Sequence, residues 1–180
     1  MKFFDVLPQL AENELLKRGV MTDELLYCVK ADLDGEGGYV DVYITFTKDT
    51  LCILRGYEEY GKMKRGQKRK NLVSFTVSGY DEYPIDSIEE MFVDRYANSA
   101  RLMIKDKSGK EFPIARFSLG FADKFEKFSQ RVNCTAKNEP IDDRLLEGVK
   151  THCPTCGEPY PDPNRPVCPR CVENLRSEER

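Results

Sequence analysis

The chain has a single histidine, His152, and no apolar run that lasts more than a few residues. It also has no internal repeat or low-complexity tract. With one imidazole, beside a cysteine, most acid–base mechanisms near neutral pH lack their usual residue. No nucleophile-elbow serine and no HExxH pair occur, so the common hydrolase and metalloprotease signatures are missing. The apolar runs fall far short of the roughly 18 residues needed to span a bilayer. The opening residues, MKFFDVLPQLAENELL, do not read as a secretion signal, because Asp5 interrupts the apolar stretch and Glu12 and Glu14 follow it. A global excess of positive charge is absent too. The formal net charge is −3, which argues against a generally basic nucleic-acid binder but leaves room for a local patch.

What is present suffices for a folded domain. Of 180 residues, 40% are hydrophobic and 33% charged, enough for one compact core plus a small appendage. Residues 1–23 read as an N-terminal helical segment. Within it 5–18 suggest a short amphipathic helix whose Leu10, Leu15 and Leu16 share a face, with Pro8 in the first turn. From residue 24 to about 117, period-two patterns dominate. They predict strands at 25–32, 39–47, 51–55, 72–77, 91–96, 102–105 and 111–117. A polar loop is expected over 56–71, and a short extended piece over 84–88. The pattern changes at Ser118. Phe121, Phe125, Phe128 and Val132 then recur at helical spacing, and a helix carrying them would plug the open end of a curved sheet. Residues 134–150 read as a linker, since Pro140 opposes a continuous helix.

Seven cysteines divide unevenly. Cys28, Cys52 and Cys134 are scattered, while four lie close together near the end. Such a set fits a reducing cytosol and a metal better than a disulfide scaffold. Cys153-Pro-Thr-Cys156-Gly157 and Cys168-Pro-Arg-Cys171 are two CxxC turns, each able to aim two thiolates at one centre. Together they form a tetrahedral S₄ set suited to structural Zn²⁺, with no position left open for catalysis. Residues 151–172 contain few apolar side chains. The ion would therefore supply much of their folding free energy, on the order of 10 kcal/mol. His152 reads as a solvent-exposed neighbour of this set. The first knuckle, through Tyr160 and Pro163, also resembles that of a rubredoxin, an iron protein, but the spacer to Cys168 is much shorter than rubredoxins use.

Three further patterns carry weaker signals. Lys62, Lys64, Arg65, Lys68, Arg69 and Lys70 concentrate positive charge in one loop. It reads as a solvated hairpin loop or as a contact for an anionic membrane surface, with nucleic acid the weakest option. Gly56 to Lys62 approximates a phosphate-binding loop, but Met63 stands where Ser or Thr is required and no helix follows. Asp32 to Glu36 begins like a calcium loop, but Tyr43 stands at the twelfth position, so a hairpin turn is expected.

The order of elements in 24–133, a seven-stranded meander closed by one amphipathic helix, resembles the pleckstrin-homology superfold. This resemblance implies a mainly β fold, a seven-stranded barrel capped by a C-terminal helix, followed by a small zinc ribbon at 151–172 and a charged tail at 173–180. The pairing of such a domain with a CPxCG…CPxC ribbon resembles the cytosolic N-terminal region of a group of bacterial ABC exporters. That resemblance implies a non-catalytic sensing or docking region at the inner face of the cell membrane. Its partner would be the transmembrane and ATPase part of the same polypeptide or complex, with the reading frame continuing past Arg180. A free-standing zinc-ribbon adaptor in transcription or RNA handling is the competing expectation. No small-molecule substrate is indicated.

Overall fold

The computed structural model describes residues 5–62 and 71–141. A short helix, α1 (Gln9–Leu16), precedes seven strands: β1 (Tyr27–Asp34), β2 (Tyr39–Phe46), β3 (Thr50–Tyr60), β4 (Leu72–Pro84), β5 (Ile88–Arg95), β6 (Ser99–Asp106) and β7 (Glu111–Ser118). Helix α2 (Ala122–Ala136) ends the described fold. The strands form one antiparallel sheet in the order β4-β3-β2-β1-β7-β6-β5. A closed barrel is not formed by hydrogen bonds: β4 and β5 do not pair and remain the two edges. Three-residue 3₁₀ turns precede β1, link β4 to β5 and lead into α2.

Each face of the sheet has its own core. On one side, Val29, Val42, Ile44, Ile53, Met91, Leu102 and Phe117 meet Phe125, Phe128 and Val132 of α2. Phe117 stacks on Phe125 with ring centroids 3.7 Å apart, and Phe46 meets Phe128 edge-on at 5.4 Å. On the other side, Ala11 and Leu15 of α1 pack with Val20, Tyr43, Cys52 and Leu54. Strands β2 and β3 are thus covered on both faces, and this is why they carry nearly continuous apolar runs.

Both helices stop for identifiable reasons. After α1, Gly19 takes φ +82°, Val20 N–H donates to Leu15 O at 3.1 Å, and Gly19 N–H donates to Leu16 O at 3.0 Å. This Schellman arrangement brings Val20 against Leu15 in the same apolar cluster. Asn138 plays the glycine's part after α2, with φ +54° and a Glu139 N–H bond to Cys134 O at 2.8 Å.

Several expectations need correction. The first helix begins only at Gln9, because Asp5 is extended: its N–H donates to Cys28 O, and its carboxylate accepts from Lys30 N–H at 2.7 Å. Leu16 points to solvent, and Ala11 takes its place beside Leu15. The polar loop starts later than expected, since β3 runs on through Tyr57–Tyr60 against Leu72–Thr76. β4 continues past Val77 to Pro84 through a bulge at Ser78. Ile85–Ser87 is a 3₁₀ turn, not an extended piece, with the Ser87 hydroxyl donating to Pro84 O. Phe121 lies in the turn before α2 and is 52% exposed, so it is not part of the plug.

Edge protection is visible on both margins. β4 carries bulges near Ser78 and Val73, and β5 carries one near Glu89. The Asn133 side chain of α2 also bonds both backbone groups of Met91 on β5. It accepts from the N–H at 2.7 Å and donates to the carbonyl at 2.8 Å.

Candidate functional site

The predicted zinc ligands Cys153, Cys156, Cys168 and Cys171 lie outside the described residues, as do the ribbon 151–172, the tail 173–180 and most of the linker. Lys64, Arg65, Lys68, Arg69 and Lys70 of the basic loop also lie outside them. Lys62 is described and exposed. It follows Gly61, whose N–H bonds Asn71 O at 2.9 Å and closes the β3–β4 hairpin at the root of that loop.

The stem beneath the loop is an ionic and phenolic network on the outer face. Lys30 of β1 lies 2.8 Å from Asp41 of β2 and 2.6 Å from Glu58 of β3. Tyr43 and Tyr60 both donate short hydrogen bonds to Glu58, whose side chain is only 2% exposed. Glu58 N–H donates to Asp41 at 3.0 Å. Burial works against the Glu58 charge, but the bonds from Lys30, Tyr43 and Tyr60 outweigh it and hold the carboxyl below its usual range. Burial similarly works against the Lys30 ammonium, yet bonds to Asp41 and Glu58 hold it above its ordinary value. Burial and then the bond to Glu58 push the Tyr43 phenol upward. With every member engaged, this cluster stiffens the hairpin rather than presenting a free acid or base.

The apparent phosphate-binding pattern disappears in the same place. Gly56–Tyr60 are strand residues. A side chain at Gly56 would run into the Phe75 ring and the Thr76 carbonyl, at 2.5 and 2.7 Å from the added carbon. The Asp32–Glu36 segment forms the expected hairpin turn. Asp34 accepts from Glu36 N–H and Gly38 N–H at 3.0 and 2.8 Å, and Gly37 takes φ +94°.

A cleft opens where β1 and β7 part. The two strands pair only at Leu33–Arg116 and Asp34–Ala115. Beyond that point Lys124 of α2 reaches into the gap and binds Asp5 at 2.7 Å and the Lys30 carbonyl at 3.3 Å. The resulting cavity of about 410 Å³ is bordered by Leu33, Tyr39, Arg116, Phe121 and Lys124. Tyr39 is 86% exposed.

Among the described residues, no group of three or more His, Cys, Asp or Glu side chains is placed to hold a metal ion. Cys28 and Cys52 are buried, and burial pushes the Cys28 thiol up to about 12. No described helix is long and apolar enough to cross a membrane.

No protein-family model, no curated protein and no solved structure matches this chain. Its reading therefore rests on its own residues. Sequence reasoning missed the Lys30–Asp41–Glu58 network. Part of the signal was present: Lys30 and Asp41 are charged residues on two adjacent predicted strands, whereas Glu58 falls in the predicted loop. It also missed Asp5–Lys124, because the pair spans nearly the whole described fold and has no local pattern.

Proposed function

We propose that this chain is a non-catalytic cytosolic sensing and docking region that carries a structural zinc site, the N-terminal part of an ABC-type export transporter. The observation that carries this reading is the doubled CxxC set, Cys153/Cys156 and Cys168/Cys171, following a seven-stranded antiparallel sheet with one C-terminal helix. The sheet order and the helix against its inner face support a pleckstrin-like arrangement for residues 24–133, in an open rather than a fully bonded form. In this reading the two-faced sheet is a rigid platform. The hairpin root at Gly61–Asn71 would offer Lys62, Lys64, Arg65, Lys68, Arg69 and Lys70 to an anionic leaflet, and the zinc tail would serve as a spacer toward the membrane part.

Metal analysis and the surrounding gene test it. The purified, fully reduced chain should hold one Zn²⁺, and a Cys153→Ser, Cys156→Ser variant should hold none. The open reading frame should continue past Arg180 into hydrophobic spans and an ATPase. A metal-free wild-type chain would defeat the zinc assignment, and a stop codon at that point would defeat the transporter assignment. Steeply salt-dependent DNA or RNA binding would favour the adaptor reading instead.

A further inference from the structure

We propose that Arg101 and Arg116 form a receptor for a phosphate dianion on the outer face of the β6–β7 ladder. The two residues are direct cross-strand partners. Their neighbours Ala100, Leu102, Ala115 and Phe117 all face the core, so strand alternation sends both guanidinium groups to the opposite, outer face. Directly opposed like charges destabilise an antiparallel pair. Neither arginine makes an ion pair with a described carboxylate, and the Nε of each is buried and has no hydrogen-bond partner.

The nearby acids turn one oxygen each to other partners. Asp94, across from Arg101 on β5, accepts the Tyr96 hydroxyl at 2.6 Å. One oxygen of Asp34, beside the Arg116 register, accepts from two amides of its own turn. Neither makes an ion pair with these arginines. Some other cations on the described surface, Lys30, Arg55, Arg95, Lys105 and Lys124, do have carboxylate partners.

The pair is also held in place. Arg101 lies over the Tyr96 ring at 4.7 Å, and Arg116 reaches toward Gly37, where an added side-chain carbon would come within 3.3 Å of its terminal nitrogen. Arg116 borders the β1/β7 cleft as well, so a ligand larger than the anion itself has room beside it. Two fixed guanidinium forks with a combined charge of +2 match a phosphomonoester dianion, each fork giving charge-assisted bonds to its oxygens. A single carboxylate offers two oxygens to these forks where the phosphomonoester offers three. The phosphate can belong to a soluble small molecule or to a lipid headgroup.

Both sources can be tested on the full chain. Backbone amide resonances of Arg101, Arg116 and Tyr96 would be followed while inorganic phosphate is added at constant ionic strength, with chloride and acetate as comparison anions. Separately, the chain would be sedimented with phosphatidylcholine vesicles with or without phosphatidic acid. Saturable shifts with phosphate alone assign a soluble ligand, and additional sedimentation with phosphatidic acid assigns the headgroup. Either response should weaken about tenfold or more in Arg116→Gln and in Arg101→Gln. It should persist when Lys64, Arg65, Lys68, Arg69 and Lys70 are replaced by Ala, which separates this site from the basic loop. Removing one of two opposed cations should leave the unliganded fold as stable as before or more so, whereas a purely structural arginine would lower the unfolding midpoint. The proposal fails if phosphate gives no saturable shift, if acetate binds as tightly, or if the glutamine variants respond like the wild type.

Discussion

Truncating the aromatic residues around α2 should separate the true plug from its apparent member. Phe125 and Phe128 are fully buried, while Phe121 sits at the same helical spacing but lies half outside. Phe128→Ala removes a buried ring and its edge-on contact with Phe46. Large-to-small changes of this type cost about 3–5 kcal/mol, and the ring pair adds about 0.5–1.5 kcal/mol beyond area within such totals. Phe125→Ala loses the stacked contact with Phe117 and should fall in the same range. Phe121→Ala loses a half-exposed ring and its Lys124 contact at 5.2 Å, so a loss of about 1 kcal/mol or less is expected. In urea, with a slope of about 2 kcal/mol per molar, the first two variants should lower the midpoint by roughly 2 M and the third by less than about 0.5 M. Equal losses for Phe121 and Phe128 would refute the placement of the helix start. A loss below about 1 kcal/mol for both buried residues would refute the plug itself.

Acid unfolding should depend on Glu58. Its folded-state carboxyl is held below the ordinary value, so its contribution is complete above the unfolded pKa and fades as pH falls through the folded one; Glu58→Gln should flatten the stability curve across about pH 5 to 3, measured by urea midpoints. Gly35→Ala would place a carbon 2.3 Å from the Pro113 carbonyl, so the β1–β7 seam must open, and a loss of about 2 kcal/mol or more is expected in the same assay. Thiol titration with a chromogenic disulfide should show three stages. Cys134 should react first, the four tail cysteines should follow once a chelator removes zinc, and buried Cys28 and Cys52 should react only on unfolding.

The order of elements was legible because alternation and helical spacing are local. Val40, Val42, Ile44 and Phe46 announced β2, and Phe125, Phe128 and Val132 announced α2. The missed parts are those where polar residues are satisfied at a distance. Tyr57–Tyr60 looked like loop because Glu58 and Glu59 are charged. Lys30, 28 residues earlier in sequence, turns Glu58 into a strand residue. The predicted strand 72–77 stops short of Gly79 and the acids after it, but Arg55 holds Asp81 in the ladder. Phe121 fitted the helical period yet falls one residue before the helix, where the chain is still turning. For the candidate site, the cysteine spacing is explicit in the sequence. The Arg101–Arg116 pair is not, since it depends on the register of two strands.

The amide of Asn133 has a consequence for how this protein keeps to itself. It answers the N–H and the carbonyl of Met91 as a neighbouring chain would, and so acts as one rung of an eighth strand supplied by a side chain. An incoming segment, whether from a second molecule or a stray peptide, would have to displace the helix before it could zip onto that margin. Crowded solution should therefore find this flank of the molecule sealed at its midpoint.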